Sequence, residues 1–118
     1  MKNAKNEQLT TVVSGLKKLA IERQRPLWKR VAEDLEKPTR QRREVNLWKL
    51  DQAAVDGELL VVPGKVLGDG LVTKKVVVGA HAFSSEAVRK LKASGCTILS
   101  IEELAKKYPD GKNVRIIG

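Results

Sequence analysis

The chain of 118 residues contains one cysteine, Cys96, and one histidine, His81. A lone cysteine closes no intramolecular disulfide, and one cysteine with one histidine does not complete a tetrahedral zinc site. A nucleophile and base made of the same two residues would need a third group to orient the base, and none is evident. Packing in the core or at its boundary is therefore the expectation for both. Phe83, Tyr108, Trp28 and Trp48 are the only aromatic residues, so aliphatic side chains must build the core and base stacking is a minor term in any binding. No segment approaches the ~18 apolar residues of a membrane span. Met1-Lys2-Asn3-Ala4-Lys5 carries no apolar run of the secretory kind. A soluble chain in a reducing, cytoplasmic setting is expected.

What the sequence has in surplus is positive charge. Twenty-three Lys and Arg against fourteen Asp and Glu give a formal charge of +9, a field that attracts polyanions over about a Debye length. The surplus is uneven. Residues 1–50 hold thirteen basic and six acidic groups, whereas residues 51–118 hold ten and eight. Nucleic acid is the leading partner, with the first half as its electrostatic footprint.

Local patterns divide the chain in the same way. Leu9, Val12, Val13, Leu16, Leu19 and Ala20 recur at helical spacing over residues 6–24. Pro26 suits the first turn of a second helix, where Leu27, Trp28, Val31, Ala32 and Leu35 form an apolar face; Pro38 should end it. Lys37-Pro38-Thr39-Arg40-Gln41-Arg42-Arg43 has no apolar side chain and reads as an exposed basic loop. Asn46 is placed to cap a third helix with Leu47, Leu50 and Ala54 inward, stopped at Asp56-Gly57.

Beyond this point short β-rich runs appear. Leu59 to Val62, ahead of a Pro63-Gly64 turn, and Val76 to Ala80 read as buried strands. Ser84 or Ser85 caps a helix over Glu86 to Lys92, in which Ala87, Val88 and Leu91 face inward and which Gly95 stops. Thr97 to Leu99 is a short strand. Ser100-Ile101-Glu102-Glu103 has the spacing of a capping box, and Val114 to Ile117 closes the chain as a strand. The fold class is α/β: a basic helical N-terminal part, residues 1–45, leads into a small α/β core, residues 46–118, in one compact unit.

Few groups suggest chemistry. Pro63 to Gly70 superficially resembles a phosphate loop, but Gly68 and Gly70 are followed by Asp69 and Leu71 and not by Lys then Ser or Thr, and the dinucleotide spacing is absent. A turn that brings backbone, and with it Lys65, close to a rigid surface is the better reading. Asp51, Asp56, Glu58 and Asp69 fall at helix ends and turns, where carboxylates satisfy backbone donors, and are not expected to form a metal site. Trp28 lies on the apolar stripe of its helix and belongs to the core. Trp48 lies off the line of Leu47 and Leu50, so packing at the helix flank competes with stacking on a base.

Several stretches resemble a known family. These are Trp28-Lys29-Arg30-Val31-Ala32-Glu33-Asp34-Leu35-Glu36-Lys37-Pro38, Val45-Asn46-Leu47, Val61 to Gly70, Ile98 to Leu104 and Val114 to Ile117. In order and spacing they are similar to the archaeal form of ribosomal protein L-eighteen-e, over nearly the whole chain. The resemblance implies a structural component of the large ribosomal subunit that contacts its RNA and neighbouring ribosomal proteins. It implies irregular strand-strand-helix layers related to the bacterial-type L-fifteen proteins, and no catalysis. No cofactor, metal, membrane, small-molecule substrate or homo-oligomer is expected.

Charge and exposure mark the residues expected to grip phosphate: Arg23, Arg25, Lys29, Arg30, Lys37, Arg40, Arg42, Arg43, Lys49, Lys65, Lys74, Lys75 and Arg115. Two rival readings remain. One is a DNA-binding module with residues 26–36 as the second helix of a helix-turn-helix. The other is a small enzyme that holds a nucleotide on Gly64 to Gly70.

Overall fold

Two helices with one apolar face each open the structure, a computed structural model that describes residues 7–37 and 43–117. Helix α1 (Glu7–Arg23) and helix α2 (Pro26–Glu36) are joined by Gln24 in the left-handed region, at φ 54°. Pro26 stands at the first turn of α2, where a missing N–H costs nothing. Trp28, Val31, Ala32 and Leu35 of α2 are completely buried, and the Trp28 Nε1–H donates to Pro109 O at 2.8 Å. Pro38 lies outside the described residues.

The remaining elements are β1 (Arg43–Asn46), α3 (Leu47–Ala53), β2 (Leu59–Leu67), β3 (Val77–Phe83), α4 (Ser85–Ala93), β4 (Thr97–Ser100), α5 (Ile101–Lys107) and β5 (Val114–Ile116). They form a five-stranded sheet in the order β1-β2-β3-β4, with β5 also paired to β2. All described pairings are parallel. β5 pairs with Leu59 to Val61 and β1 with Gly64 to Leu67, so these two strands take successive parts of β2.

Alternation along the strands divides the core into two layers, one on each side of the sheet. Leu60, Val62, Val66 and Val78 pack with Leu47 and Leu50 of α3 and Ala87 and Leu91 of α4. Val61 faces the other way, into a cluster with Val13 and Leu16 of α1, Trp28, Val31 and Leu35 of α2, and Ile101 and Leu104 of α5. The helical N-terminal part thus packs on the same sheet as the rest, and β1 is a strand of that sheet. Burying each such aliphatic side chain contributes about 1.5–3 kcal/mol.

The α/β class and the order of helices agree with the sequence reading. Ser84 accepts a hydrogen bond from Ala87 N at 3.1 Å, and Ser100 and Glu103 form both halves of a capping box. Four expectations are corrected. Pro63-Gly64 is not a turn, because β2 continues to Leu67 through an irregularity between Val62 and Lys65, where an extra residue accommodates a proline without a ladder N–H. Arg43, read as the end of an exposed basic loop, is half-buried and begins a strand over residues 43–46. Asn46 occupies the N-cap position of α3 but makes no capping bond; its Oδ1 instead accepts from Asp69 N at 3.2 Å. α3 ends at Ala53, before Asp56-Gly57.

Parallel neighbours require a crossover, usually helical. Between β2 and β3 residues 68–76 provide it without a helix, and Val72 and Val76 bury into the layer of α3 and α4.

Candidate nucleic-acid interface

The cations expected to bind phosphate occupy three environments. Arg25, at the N-cap of α2, and Lys29 and Arg30, on its outer face, are exposed. Arg23, in the last turn of α1, is paired with Asp110 at 3.1 Å. These four stand on consecutive turns of the chain at the α1–α2 junction.

Lys37 and Arg43 meet at a single carboxylate. Asp34 is buried in the last turn of α2; its Oδ1 lies 3.3 Å from Lys37 Nζ, and its Oδ2 accepts from Arg43 at 3.1 Å. Removing a carboxylate from water is costly unless it is paired and hydrogen-bonded, and the two cations offset that cost. They bracket the basic segment in sequence. Arg40 and Arg42 lie outside the described residues.

The other predicted residues are spread over the sheet and the α3 side. Lys49 on α3 and Lys65 on β2 are exposed, with Lys65 in register beside Glu44 of β1. Lys75 is exposed, and its backbone N–H donates to Asp56 at 2.7 Å. Lys74 is half-buried and donates to Asp51 O at 2.5 Å, while Arg115 donates to Ala53 O and to Glu58 at 3.1 Å. Lys74 and Arg115 therefore brace the fold around the end of α3. Arg115 still reaches the surface: it lines a cleft of about 550 Å³ together with Arg30 and Arg43.

The remaining polar groups serve the scaffold. Asp51 accepts from the Thr73 N–H at 2.7 Å and the Thr73 hydroxyl at 2.8 Å. The Thr73 backbone bond and then its hydroxyl hold the Asp51 carboxyl below its ordinary range; desolvation opposes them, and the Lys74 charge adds a smaller lowering effect. Glu58 accepts from Val55 N at 2.7 Å. Among the described residues no group of three or more His, Cys, Asp or Glu is placed to hold a metal ion. Cys96 is buried and its Sγ contacts Lys74 O at 3.3 Å. His81, expected at the core or its boundary, is exposed, because β4 pairs with β3 only as far as Ala80. Lys65 sits within a strand, not on a phosphate-binding loop.

Comparison with known proteins decides between these readings. Residues 25–99 match the family model of ribosomal proteins 50S-L15, 50S-L18e and 60S-L27A. The chain is similar to large ribosomal subunit protein eL18 of Thermoplasma acidophilum, at 44% identity over 98% of this chain and 96% of that protein. Its counterparts in Methanopyrus kandleri and Pyrobaculum aerophilum are 45% and 44% identical, each over 95% of this chain and 92% of the relative. The chain belongs to this ribosomal protein family.

Two charged side chains join neighbouring segments in ways that sequence alone did not reveal. Asp34 was not singled out, although it gathers two predicted cations. Lys90 was also missed. Its Nζ donates to Gly68 O at 2.8 Å and Gly70 O at 3.0 Å, fixing the turn that follows β2. Its place in the last turn of α4, beside basic Lys92, was the only available signal, and that pattern also describes an ordinary helix end. Trp48 is 50% exposed, and a side chain at Gly70 would stand 2.7 Å from its Cβ. The indole is therefore not core, and its backbone packs against the turn.

Proposed function

We propose that this protein binds folded large-subunit ribosomal RNA and holds it in place by neutralising phosphates across several strands. As a member of a ribosomal protein family it is a structural constituent of the large ribosomal subunit and not an enzyme. Ribosomal RNA and ribosomal proteins are its partners. The observation that carries the RNA reading is the concentration of exposed cations at the α1–α2 junction, in the half of the chain with thirteen basic and six acidic groups.

In this reading residues 1–45 are the main electrostatic anchor and residues 46–118 the rigid body. Arg23, Arg25, Lys29, Arg30, Lys37, Arg40, Arg42 and Arg43 grip phosphate, and Lys49, Lys65, Lys74, Lys75 and Arg115 add contacts from the sheet and the α3 side. Recognition follows RNA shape, because the A-form major groove excludes side chains and folded RNA is read through backbone and 2′-hydroxyls. The reading calls for neither a second copy of the chain nor a small-molecule substrate. No helix among the described residues is long and apolar enough to cross a membrane.

A helix-turn-helix on duplex DNA is disfavoured by α2 itself. Its outer face carries exposed Glu33 and Glu36 among Lys29 and Arg30, and its other face is buried on the sheet. The test is a titration of large-subunit ribosomal RNA fragments against duplex DNA at matched salt. If about six phosphates are neutralised, RNA affinity falls roughly a thousandfold between about 50 and 200 mM salt. Equal affinity for DNA, or affinity indifferent to salt, refutes the proposal.

A further inference from the structure

Arg30, Arg43 and Arg115 come from α2, β1 and β5, and the topology brings them to one cleft. β1 and β5 occupy successive stretches of β2, with Val61 opposite Ile116 and Gly64 opposite Arg43, and α2 lies over the junction. The cleft is of two kinds. Arg30 and Arg115 are exposed, while Leu27, Val114 and Ile116 form a half-buried aliphatic wall beside them.

We infer that this cleft receives a single unpaired nucleotide of the RNA chain, its phosphate against the three guanidinium groups and its sugar and base over the aliphatic wall. The inference rests on the RNA-binding reading above and deepens it by assigning one site and one kind of RNA element. Two features support it. First, the cleft is a solvent-open hollow of about 550 Å³, a volume within the range of small-ligand sites. A duplex presents its phosphates on a convex surface and cannot enter it, whereas a splayed nucleotide brings both a charge and an apolar face. Second, two of the arginines are held before any ligand arrives: Arg43 by Asp34 at 3.1 Å, Arg115 by Glu58 at 3.1 Å and by Ala53 O. A guanidinium has five N–H donors in a fixed fork, so a carboxylate on one side orients the group toward an acceptor on another.

Those carboxylates also decide against a simple charge sink. Glu58 offsets Arg115, and Asp34, shared with Lys37, offsets Arg43 in part, so the cleft selects through fixed donors beside an apolar wall, and bulk attraction comes from the α1–α2 junction. An acidic peptide would satisfy the donors but leave the aliphatic wall without a partner.

The test uses the full chain and follows the arginine Nε–Hε resonances by NMR, with Arg30→Lys, Arg43→Lys and Arg115→Lys providing the assignments. The probes are a single-stranded RNA hexamer, an RNA duplex with the same number of phosphates, a hexaglutamate peptide and a large-subunit ribosomal RNA fragment. The expected result is that the hexamer shifts the Arg30, Arg43 and Arg115 signals and the duplex and peptide do not. Arg30→Gln, at an exposed position, then lowers hexamer affinity roughly tenfold, as expected for loss of a charge-assisted contact. If the ribosomal RNA fragment binds and shifts Arg23 and Arg25 but leaves the cleft signals unmoved, the cleft assignment fails and the RNA reading stands. Equal shifts with hexaglutamate also overturn the assignment. If no RNA binds at all, both fail.

Discussion

Asp51 shows how much of the charge in this protein is spent on its own backbone. Its carboxylate receives both donors of Thr73, which fixes the start of the segment leading to β3 against α3. Because those bonds and Lys74 lower its pKa in the folded state, the stability it contributes is present above the unfolded carboxylate pKa and lost as pH falls through the folded value. An NMR titration should give Asp51 a midpoint below that of an unstructured aspartate, with the Thr73 amide following it. A midpoint at the unstructured value would mean the bonds do not persist in solution. Gly70 is a second such position. It has φ 91°, and an added Cβ would meet the Trp48 Cβ at 2.7 Å and N at 2.8 Å. Gly70→Ala combines left-handed strain with a clash against backbone, for an expected loss of about 2 kcal/mol or more by urea unfolding. Gly57→Ala is a useful comparison: it too has positive φ but nothing within 4 Å, and should cost less.

Helices are held by neighbours close in sequence, and this makes them both testable and legible. In α5, Glu103 N donates to the Ser100 hydroxyl at 3.0 Å and Ser100 N to Glu103 Oε1 at 2.9 Å. Ser100→Ala removes the cap and should cost about 1 kcal/mol by thermal or urea unfolding. A cost near zero would place α5 under the control of Ile101 and Leu104 packing alone. The same locality is why the apolar faces of α1 and α2, the Ser84 cap and the capping box could be read directly from spacing. Strands depend on partners distant in the chain. Nothing in Arg43-Glu44-Val45-Asn46 announces a strand until Gly64 to Leu67 lies beside it, where an added Cβ on Gly64 would come within 2.0 Å of Arg43 O. Pro63-Gly64 likewise reads as a turn by local rules and becomes the middle of β2 only because a bulge tolerates the proline and the close approach of β1 requires the glycine. The bracing of Arg115 by Glu58, 57 residues away, and the sharing of Asp34 between Lys37 and Arg43 were illegible for the same reason.

For the molecule as a whole, the decisive quantity is where the surplus charge lies, not only its amount. Residue counts located the excess in the first fifty positions, and the structure arranges Arg23, Arg25, Lys29 and Arg30 along one junction. Counts could not show which cations also brace the fold. If the whole formal charge of +9 acted as a diffuse cloud, removing any four exposed cations would weaken RNA binding equally. If phosphates are gripped at the α1–α2 junction, position matters. The experiment compares two quadruple variants of equal charge: Arg23→Gln, Arg25→Gln, Lys29→Gln and Arg30→Gln against Lys92→Gln, Lys106→Gln, Lys107→Gln and Lys112→Gln. All eight residues are exposed. The first set also breaks the Arg23–Asp110 pair, and the second breaks the weaker Lys106–Glu102 pair at 4.0 Å, so unfolding of each variant should be measured beside binding. Exposed pairs of this kind contribute at most about 1 kcal/mol, and both variants should remain folded. In titrations of a large-subunit ribosomal RNA fragment, the slope of log affinity against log salt should become shallower by about 3 for the junction variant, since each lost phosphate contact removes a little under one unit. It should change by less than about 1 for the other, whose cations on α4, on α5 and before β5 lie outside the proposed anchor. Equal changes in both slopes would show that the charge acts as a cloud, and the junction would lose its claim to be the anchor.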